Sequence, residues 1–219
     1  MKDEARRPFW KNPFLIGFVA GAIVLTVLPF LQHTQLRAPP PIAPLGEWQL
    51  VDENGRPFGS HDLQGQVWIA SFFFARCPSL CPAQQASLVK ALPHFDDLVG
   101  KPGVAPIRLV SFTVDPDNDT PDVLLAYERK LLERGSDRWT LLTGPRADLE
   151  NLIAKRFLVA MGERAPVDGA SDLYDIPHAS KFALVDQRGD LRGFWSTDDE
   201  GRGNIINAAR LLAKEGPTP

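Results

Sequence analysis

Gln66-Val67-Trp68-Ile69-Ala70-Ser71-Phe72-Phe73-Phe74-Ala75-Arg76-Cys77-Pro78-Ser79-Leu80-Cys81-Pro82 is the stretch from which the fold is read. Its first nine residues are almost all apolar, too uniformly so for a strand with one wet face. They predict a central strand covered on both sides. The run then breaks into two cysteines separated by three residues, the only two in 219. A polar, helix-compatible stretch follows from Ala83 to Lys90. The pattern is a buried strand that delivers two thiols to the turn before a helix.

Similar signals extend in both directions. Trp48–Val51 followed by Asp52-Glu53-Asn54-Gly55 predicts a strand and a tight turn. Ile107–Val114 is a second buried strand. Thr120-Pro121-Asp122 then combines a capping hydroxyl, a proline at the first helical position and an acid near the positive end of the dipole. That helix turns Leu124, Leu125, Leu131 and Leu132 inward. A short strand at Trp139–Leu142 and a helix over Leu149–Phe157 follow, and Val159–Leu173 has no clear period and is expected to be a loop or small insertion. Lys181–Val185, the turn Asp186-Gln187-Arg188-Gly189 and Leu191–Trp195 predict a hairpin. Ile205, Ala208, Ala209 and Leu212 mark one face of a last helix. The sum is an α/β sandwich, one central sheet with helices on both faces. The thiols fall at the carboxyl end of a central strand, where such sheets place their sites.

The N-terminal region differs. Phe14 to Leu31 is 18 residues without a charge, which is about 27 Å of helix and close to the hydrocarbon thickness of a bilayer. Lys2, Arg6, Arg7 and Lys11 precede it and Arg37 alone follows closely, so the N-terminus is expected in the cytoplasm and the rest of the chain across the membrane. A cleaved signal peptide is the alternative, but the run is long for one and Gln32 to Arg37 shows no small-x-small cleavage pattern. The paired arginines are compatible with a twin-arginine signal or with simple cytoplasmic-side charge. Pro39, Pro40, Pro41 and Pro44 then predict an extended, semi-rigid tether. The expected organisation is a cytoplasmic N-terminus over 1–13, an anchor over 14–31, a proline-rich linker over 32–45 and one domain over 46–219.

Residues 1–44 carry five basic and two acidic side chains, a balance of +3, and the whole chain is at −3, so residues 45–219 sum to −6. A mildly acidic exported domain without a basic stripe offers nothing to nucleic acid.

Three uses compete for Cys77 and Cys81. A permanent disulfide closing three residues constrains the unfolded chain little. A redox pair gains from a helix N-terminus, which lowers a thiol pKa, but the C-x-x-x-C spacing is one residue longer than that of thiol oxidoreductases. As metal ligands, two thiolates one helical turn apart select a soft ion, copper(I) or zinc. Two ligands do not complete a structural zinc site, and Met1 and Met161 are poor candidates, which leaves histidine or carboxylate. The histidines are His33, His61, His94 and His178. The last stands just before the strand Lys181–Val185, but spacing alone does not establish that it converges on the thiols.

Four motifs in order resemble the Sco/SenC family of membrane-tethered copper chaperones. Phe74-Ala75-Arg76-Cys77-Pro78-Ser79-Leu80-Cys81-Pro82 is similar to the family's C-P-x-x-C-P motif. Asp115-Pro116-Asp117-Asn118-Asp119-Thr120-Pro121 matches D-P-x-x-D-T-P, and Trp139-Thr140-Leu141-Leu142-Thr143-Gly144 matches W-x-x-L-T-G. His178, followed by Phe182-Ala183-Leu184-Val185-Asp186, matches the third-ligand histidine before a strand. Two departures stand out. Ser79 replaces the acid of many relatives, and Pro177-His178-Ala179 replaces an acidic-His-Ser/Thr context, which bears on how the imidazole is oriented.

The resemblance implies a thioredoxin-like fold in which Cys77, Cys81 and His178 bind copper as Cu(I) or Cu(II). It implies delivery to the binuclear copper centre of cytochrome c oxidase during assembly, by a binding and transfer protein rather than an enzyme. The partners implied are the copper-receiving oxidase subunit, other copper chaperones or thiol reductants, and the bacterial inner membrane, with the domain in the periplasm. The alternative is a thiol-disulfide reductase that keeps the cysteines of that copper site reduced. Transfer by thiolate exchange requires partly exposed ligands. Asp115 and Asp119 are read as turn-shaping residues outside the ligand set, and Trp195 and Phe72 to Phe74 as core.

Overall fold

The computed structural model describes residues 13–33, 38–77, 81–132, 135–160, 162, 165–166, 174–176 and 180–215, with the backbone alone at 28–33, 165–166 and 174–175. It divides into two units at residue 38.

The first unit is helix α1, Pro13–His33. It contains no Asp, Glu, Lys or Arg, and the side chains described, which end at Val27, are exposed. Among the residues so described, no helix is long and apolar enough to cross a membrane.

The second unit is built on an eight-stranded sheet in the order β1-β10-β9-β4-β5-β6-β2-β3. Its strands are β1 (Ala43–Pro44), β2 (Gln49–Asp52), β3 (Pro57–Gly59), β4 (Val67–Phe73), β5 (Ile107–Thr113), β6 (Trp139–Thr143), β9 (Lys181–Val185) and β10 (Asp190–Ser196). β4 pairs in parallel with β5 and antiparallel with β9, and β5 pairs in parallel with β6. All seven residues of β4 are buried, the result expected of a strand with neighbours on both edges and layers on both faces.

Alternation along β4 sorts those layers. Ser71 meets Gln85 on α2 (Cys81–Val89), and Phe73 meets Tyr127 on α3 (Pro121–Leu131). On the other face, Trp68 and Phe72 pack against Phe157, with ring centroids at 5.9 and 5.2 Å. Helix α5 (Asp199–Glu215) joins the first layer through the bond from Arg202 to Ser87 of α2, and it buries Ile205, Ala208, Ala209 and Leu212 as its period predicts. The mixed sheet with helices on both faces is the arrangement read from the sequence.

Three local differences have physical causes. The helix expected over Leu149–Phe157 is a short α4 (Arg146–Glu150) that widens into a π-helical segment, Asn151–Arg156. The Phe157 N–H accordingly reaches the carbonyl of Leu152, five residues back. Ala165–Pro166 (β7), inside Val159–Leu173, pairs with Tyr174–Asp175 (β8) just beyond it, so the expected loop contributes one strand of a small ladder. Thr120 is the N-cap residue of α3 by its extended backbone, but its hydroxyl makes no capping bond.

The proline-rich stretch lies against the sheet from Pro39 onward. The Ile42 N–H donates to the Leu191 carbonyl at 2.7 Å, Ala43 and Pro44 pair with Leu191 and Asp190, and Leu45 is buried. Arg192 Nε donates to the Pro39 carbonyl, and Arg156 holds the carbonyls of Leu45 and Glu47. Proline suits this position because an outermost strand can dispense with one row of N–H donors. The folded unit therefore starts before Gly46.

Candidate functional site

β4 ends at Phe73, the chain passes through the fully buried Phe74, and the Cys77 N–H turns back to the Phe74 carbonyl at 3.2 Å. Cys81 opens α2. Both cysteines carry thiols, at the carboxyl ends of the parallel strands β4 and β5. Cys81 stands at the positive end of the α2 dipole. Their exposure is 7% at Cys77 and 0% at Cys81. The partly exposed ligand pair expected from transfer chemistry is thus buried in this state, both cysteines belonging to the core cluster.

A buried polar ring holds α2 in place. Trp139 Nε1 donates to Ser111 Oγ at 2.9 Å, Ser111 Oγ to Gln85 Oε1 at 3.0 Å, and Gln85 Nε2 to Ser71 Oγ at 3.1 Å; the two serine hydroxyls lie 2.7 Å apart. Every hydroxyl can donate once and every acceptor is used, so the ring is satisfied without water. Gln85 lies one helical turn beyond Cys81, and this ring fixes the rotation of α2 that places the thiol. No sequence signal marked Gln85, Ser71 or Ser111, since polar residues inside apolar runs look like interruptions until their partners are known.

The loop Val114–Thr120 supplies a second support. Asp115 and Asp119 are both fully buried. The Asp115 carbonyl accepts from the Asn118 and Asp119 N–H groups, the turn-shaping role expected of these residues. Asp119 does more: its Oδ2 accepts from Thr113 Oγ1 and from the Ala75 N–H, two residues before Cys77. Burial pushes its carboxyl up to about 6, although the bonds from Thr113 and Ala75 work the other way. Among the described residues its Oδ1 has no hydrogen bond, and neither does the hydroxyl of Tyr127. Burial raises the Tyr127 phenol above its ordinary value, and the charges of Cys81, Cys77 and Asp119 add to this.

His178, with Pro177 and Ala179, lies outside the described residues, as do Pro78 to Leu80 and Met161. The register of the flanking strand is described. Ile69, Ala70 and Trp68 pair with Leu184, Ala183 and Val185 in antiparallel fashion, so β9 begins, at Lys181, toward the sheet end where β4 delivers Cys77. His61 is exposed, 4.0 Å from Glu47, in the segment leading to the start of β4. His94 lies on the 3-10 helix Leu92–Leu98. A cavity of about 320 Å³ beside that helix, lined by Gln66, Phe95, Leu98, Ile107 and Arg108, is at the beginning of β4 and β5, the opposite end from the thiols. Among the described residues no three His, Cys, Asp or Glu side chains are grouped to hold a metal ion. The donors present are two soft sulfurs in apolar surroundings, a set that suits a soft, thiophilic ion.

The family model described as SCO1/SenC matches residues 38–213. The SCO1 protein homolog of Bacillus subtilis is 30% identical over 137 residues, 61% of this chain and 64% of that protein. The chain covers 51 to 65% of the length of the first three curated relatives it matches. Among solved structures, a SCO1/SenC family lipoprotein of Bacillus anthracis superposes with a TM-score of 0.66 at 30% identity, covering 78% of this chain and 95% of that one. Yeast Sco1 does so with a TM-score of 0.58 at 27% identity, covering 75 and 95%, and it has also been solved with copper bound.

Proposed function

The chain belongs to the SCO1/SenC family, with its thioredoxin-like fold, and on that premise we propose that it is a copper metallochaperone. In this reading Cys77, Cys81 and His178 are the ligands, copper is the cargo, and the recipient is the binuclear copper site of cytochrome c oxidase during its assembly. The observation that carries the reading is the delivery of two soft donors to one place, by the end of β4 and the start of α2. The antiparallel register, which starts β9 toward the same sheet end, supports the histidine. The copper-bound form of yeast Sco1 supports the ion.

The protein's residues bind and release in this scheme and no bond of a substrate is made or broken. Cys81 stands at the positive end of the α2 dipole, the Gln85 ring holds that helix, and Asp119 holds the loop that carries Cys77. Because both cysteines are buried, handover requires a sulfur to become exposed to the acceptor.

Copper titration of the full-length chain in detergent tests the reading, with Cys77→Ser, Cys81→Ser and His178→Ala alongside wild type. One copper per chain is expected, lost in both serine variants and weakened in the third. A His178→Ala chain with wild-type affinity and an unchanged Cu(II) spectrum rules out the three-ligand set.

Helix α1 is proposed as the anchor in the bacterial inner membrane, with the N-terminus cytoplasmic and the second unit periplasmic. Its run without acidic or basic residues supports this. Protease added to intact spheroplasts should remove the second unit, and protection of that unit would reverse the orientation.

Two thiols at a helix start also favour a second reading, reduction of the cysteines of the recipient copper site. It predicts that the metal-free dithiol reduces such a disulfide, and the absence of any reduction removes it.

A further inference from the structure

The cavity of about 320 Å³ at the beginning of β4 and β5 lies at the sheet end opposite the thiols. Its apolar side is Phe95 and Leu98, on the 3-10 helix Leu92–Leu98, and Ile107 at the start of β5; all three are buried. The segment from Val99 to Pro106 forms a further wall, and it is fastened along its length. The Lys101 N–H donates to the Leu98 carbonyl at 3.3 Å, the Val104 N–H to the Lys101 carbonyl at 3.2 Å, and the Ala105 N–H to the Ala213 carbonyl of α5 at 2.8 Å. Gly100 and Gly103 supply the positive φ, 71° and 73°, that these turns require. Val99, also in the lining, is 65% exposed, so the apolar wall continues to solvent.

One cation stands in this lining without a counter-charge. Arg108 follows Ile107 on β5, and two contacts hold its guanidinium: Nη2 donates to the Asp137 carbonyl, and Cζ lies 5.9 Å from the centre of the Phe58 ring. Its Nε–H is buried and makes no hydrogen bond among the described residues. A buried donor left unpaired costs free energy. Arg138, the other cation of the lining, is by contrast paired with Asp96 at 2.7 Å. The protein therefore holds the Arg108 fork in place but leaves most of its donors unused.

We propose that this cavity is a binding site for a small organic monocarboxylate with an apolar body, the body against Phe95, Leu98 and Ile107 and the carboxylate on the guanidinium of Arg108. Small-molecule pockets span roughly 300–1,000 Å³ and combine mostly apolar walls with a few placed polar groups, as here. A planar carboxylate matches the guanidinium fork in shape as well as charge. One unpaired guanidinium, with Asp137 in the same lining, suits a single negative charge better than the double charge of a phosphate ester.

The test is titration of the full-length chain, in nonionic detergent and with isotope-labelled arginine, with phenylbutyrate as the probe. The Nε–H resonance of Arg108, identified by its loss in Arg108→Gln, should shift and saturate, and a resonance unmoved by the probe overturns the site. Phenylbutyramide keeps the apolar body and lacks the charge, so it should bind more weakly by about tenfold or more. Equal affinity for acid and amide overturns the role of Arg108. Arg108→Gln should lose affinity by a similar factor, read by saturation transfer to the probe, and wild-type affinity in that variant overturns the proposal. Should that variant fail to fold, Arg108→Lys identifies the resonance instead, because it keeps the charge and removes the fork. Inorganic phosphate should not displace the probe, and displacement overturns the carboxylate assignment. Copper titration reports on the other end of the sheet, so this inference and the chaperone reading stand or fall separately.

Discussion

Asp119 Oδ2 accepts the backbone N–H of Ala75 at 3.1 Å, across 44 residues of sequence, and so joins the start of α3 to the loop that carries Cys77. A carboxyl that is fully buried, has one oxygen without a partner among the described residues and holds the thiol loop is a point where pH acts on the site.

Burial raises this carboxyl from 3.8 to about 6. Because the folded value lies above the unfolded one, the folded chain binds the proton more tightly. The stability so contributed is complete below about pH 4 and is lost as pH rises through about 6. Asp119→Asn does not titrate, so wild type should lose on the order of 2 kcal/mol relative to it between about pH 4 and 7. Denaturant midpoints of the two chains measure this, and parallel pH profiles would contradict it.

Gln85→Leu should destabilise the second unit by about 1–3 kcal/mol, because it takes the amide partners from Ser71 and Ser111 inside the core. It should also speed alkylation of Cys81, since the ring sets the rotation of α2. A melting curve and an alkylation time course test both halves. Faster alkylation without loss of stability would mean that the ring acts on the helix alone.

Arg192 and Asp186 are 2.8 Å apart with side-chain exposures of 10 and 4%. Arg192→Ala leaves Asp186 Oδ2 without its charged partner, although Oδ1 keeps the N–H groups of Arg188 and Asp190, and releases the Pro39 carbonyl, so a loss of about 3 kcal/mol is expected. Limited proteolysis should then cut between residues 38 and 44, where wild type resists. An unchanged digestion pattern would show that β1 is held by its own pairing to β10.

Two glycines of α5 should respond in opposite directions. A Cβ at Gly201 would collide with the carbonyl of Ser196, whereas one at Gly203 would meet nothing within 4 Å. Gly201→Ala is expected to cost about 2 kcal/mol. Gly203→Ala, in an exposed helical position, should gain about 0.5–1 kcal/mol. Paired thermal melts give the comparison.

The legible parts of this protein are those set by local period. The unbroken burial of β4 follows from its unbroken apolarity, the stripe of α5 from Ile205, Ala208, Ala209 and Leu212, and the β9–β10 hairpin from its Asp186-to-Gly189 turn. The thiols were legible as well, since two cysteines between a buried strand and a helix have few other uses. Harder to see was the π-helical turn before Phe157, because residues 149–157 carry an ordinary helical pattern and the widening answers to the aromatic rings of Trp68, Phe72 and Phe112 on the sheet.

The amino-acid sequence by itself determined the order of the elements, the family resemblance and the pair Cys77 and Cys81, because periodicity and motif spacing are properties of neighbours along the chain. Only the tertiary structure decided that Ala43 and Pro44 pair with the sheet, that both thiols are enclosed, and that Asp119 holds the loop before Cys77. Each of these depends on partners tens of residues away. A polar side chain's role is set by the group it meets, and that group is identified only once the chain has folded.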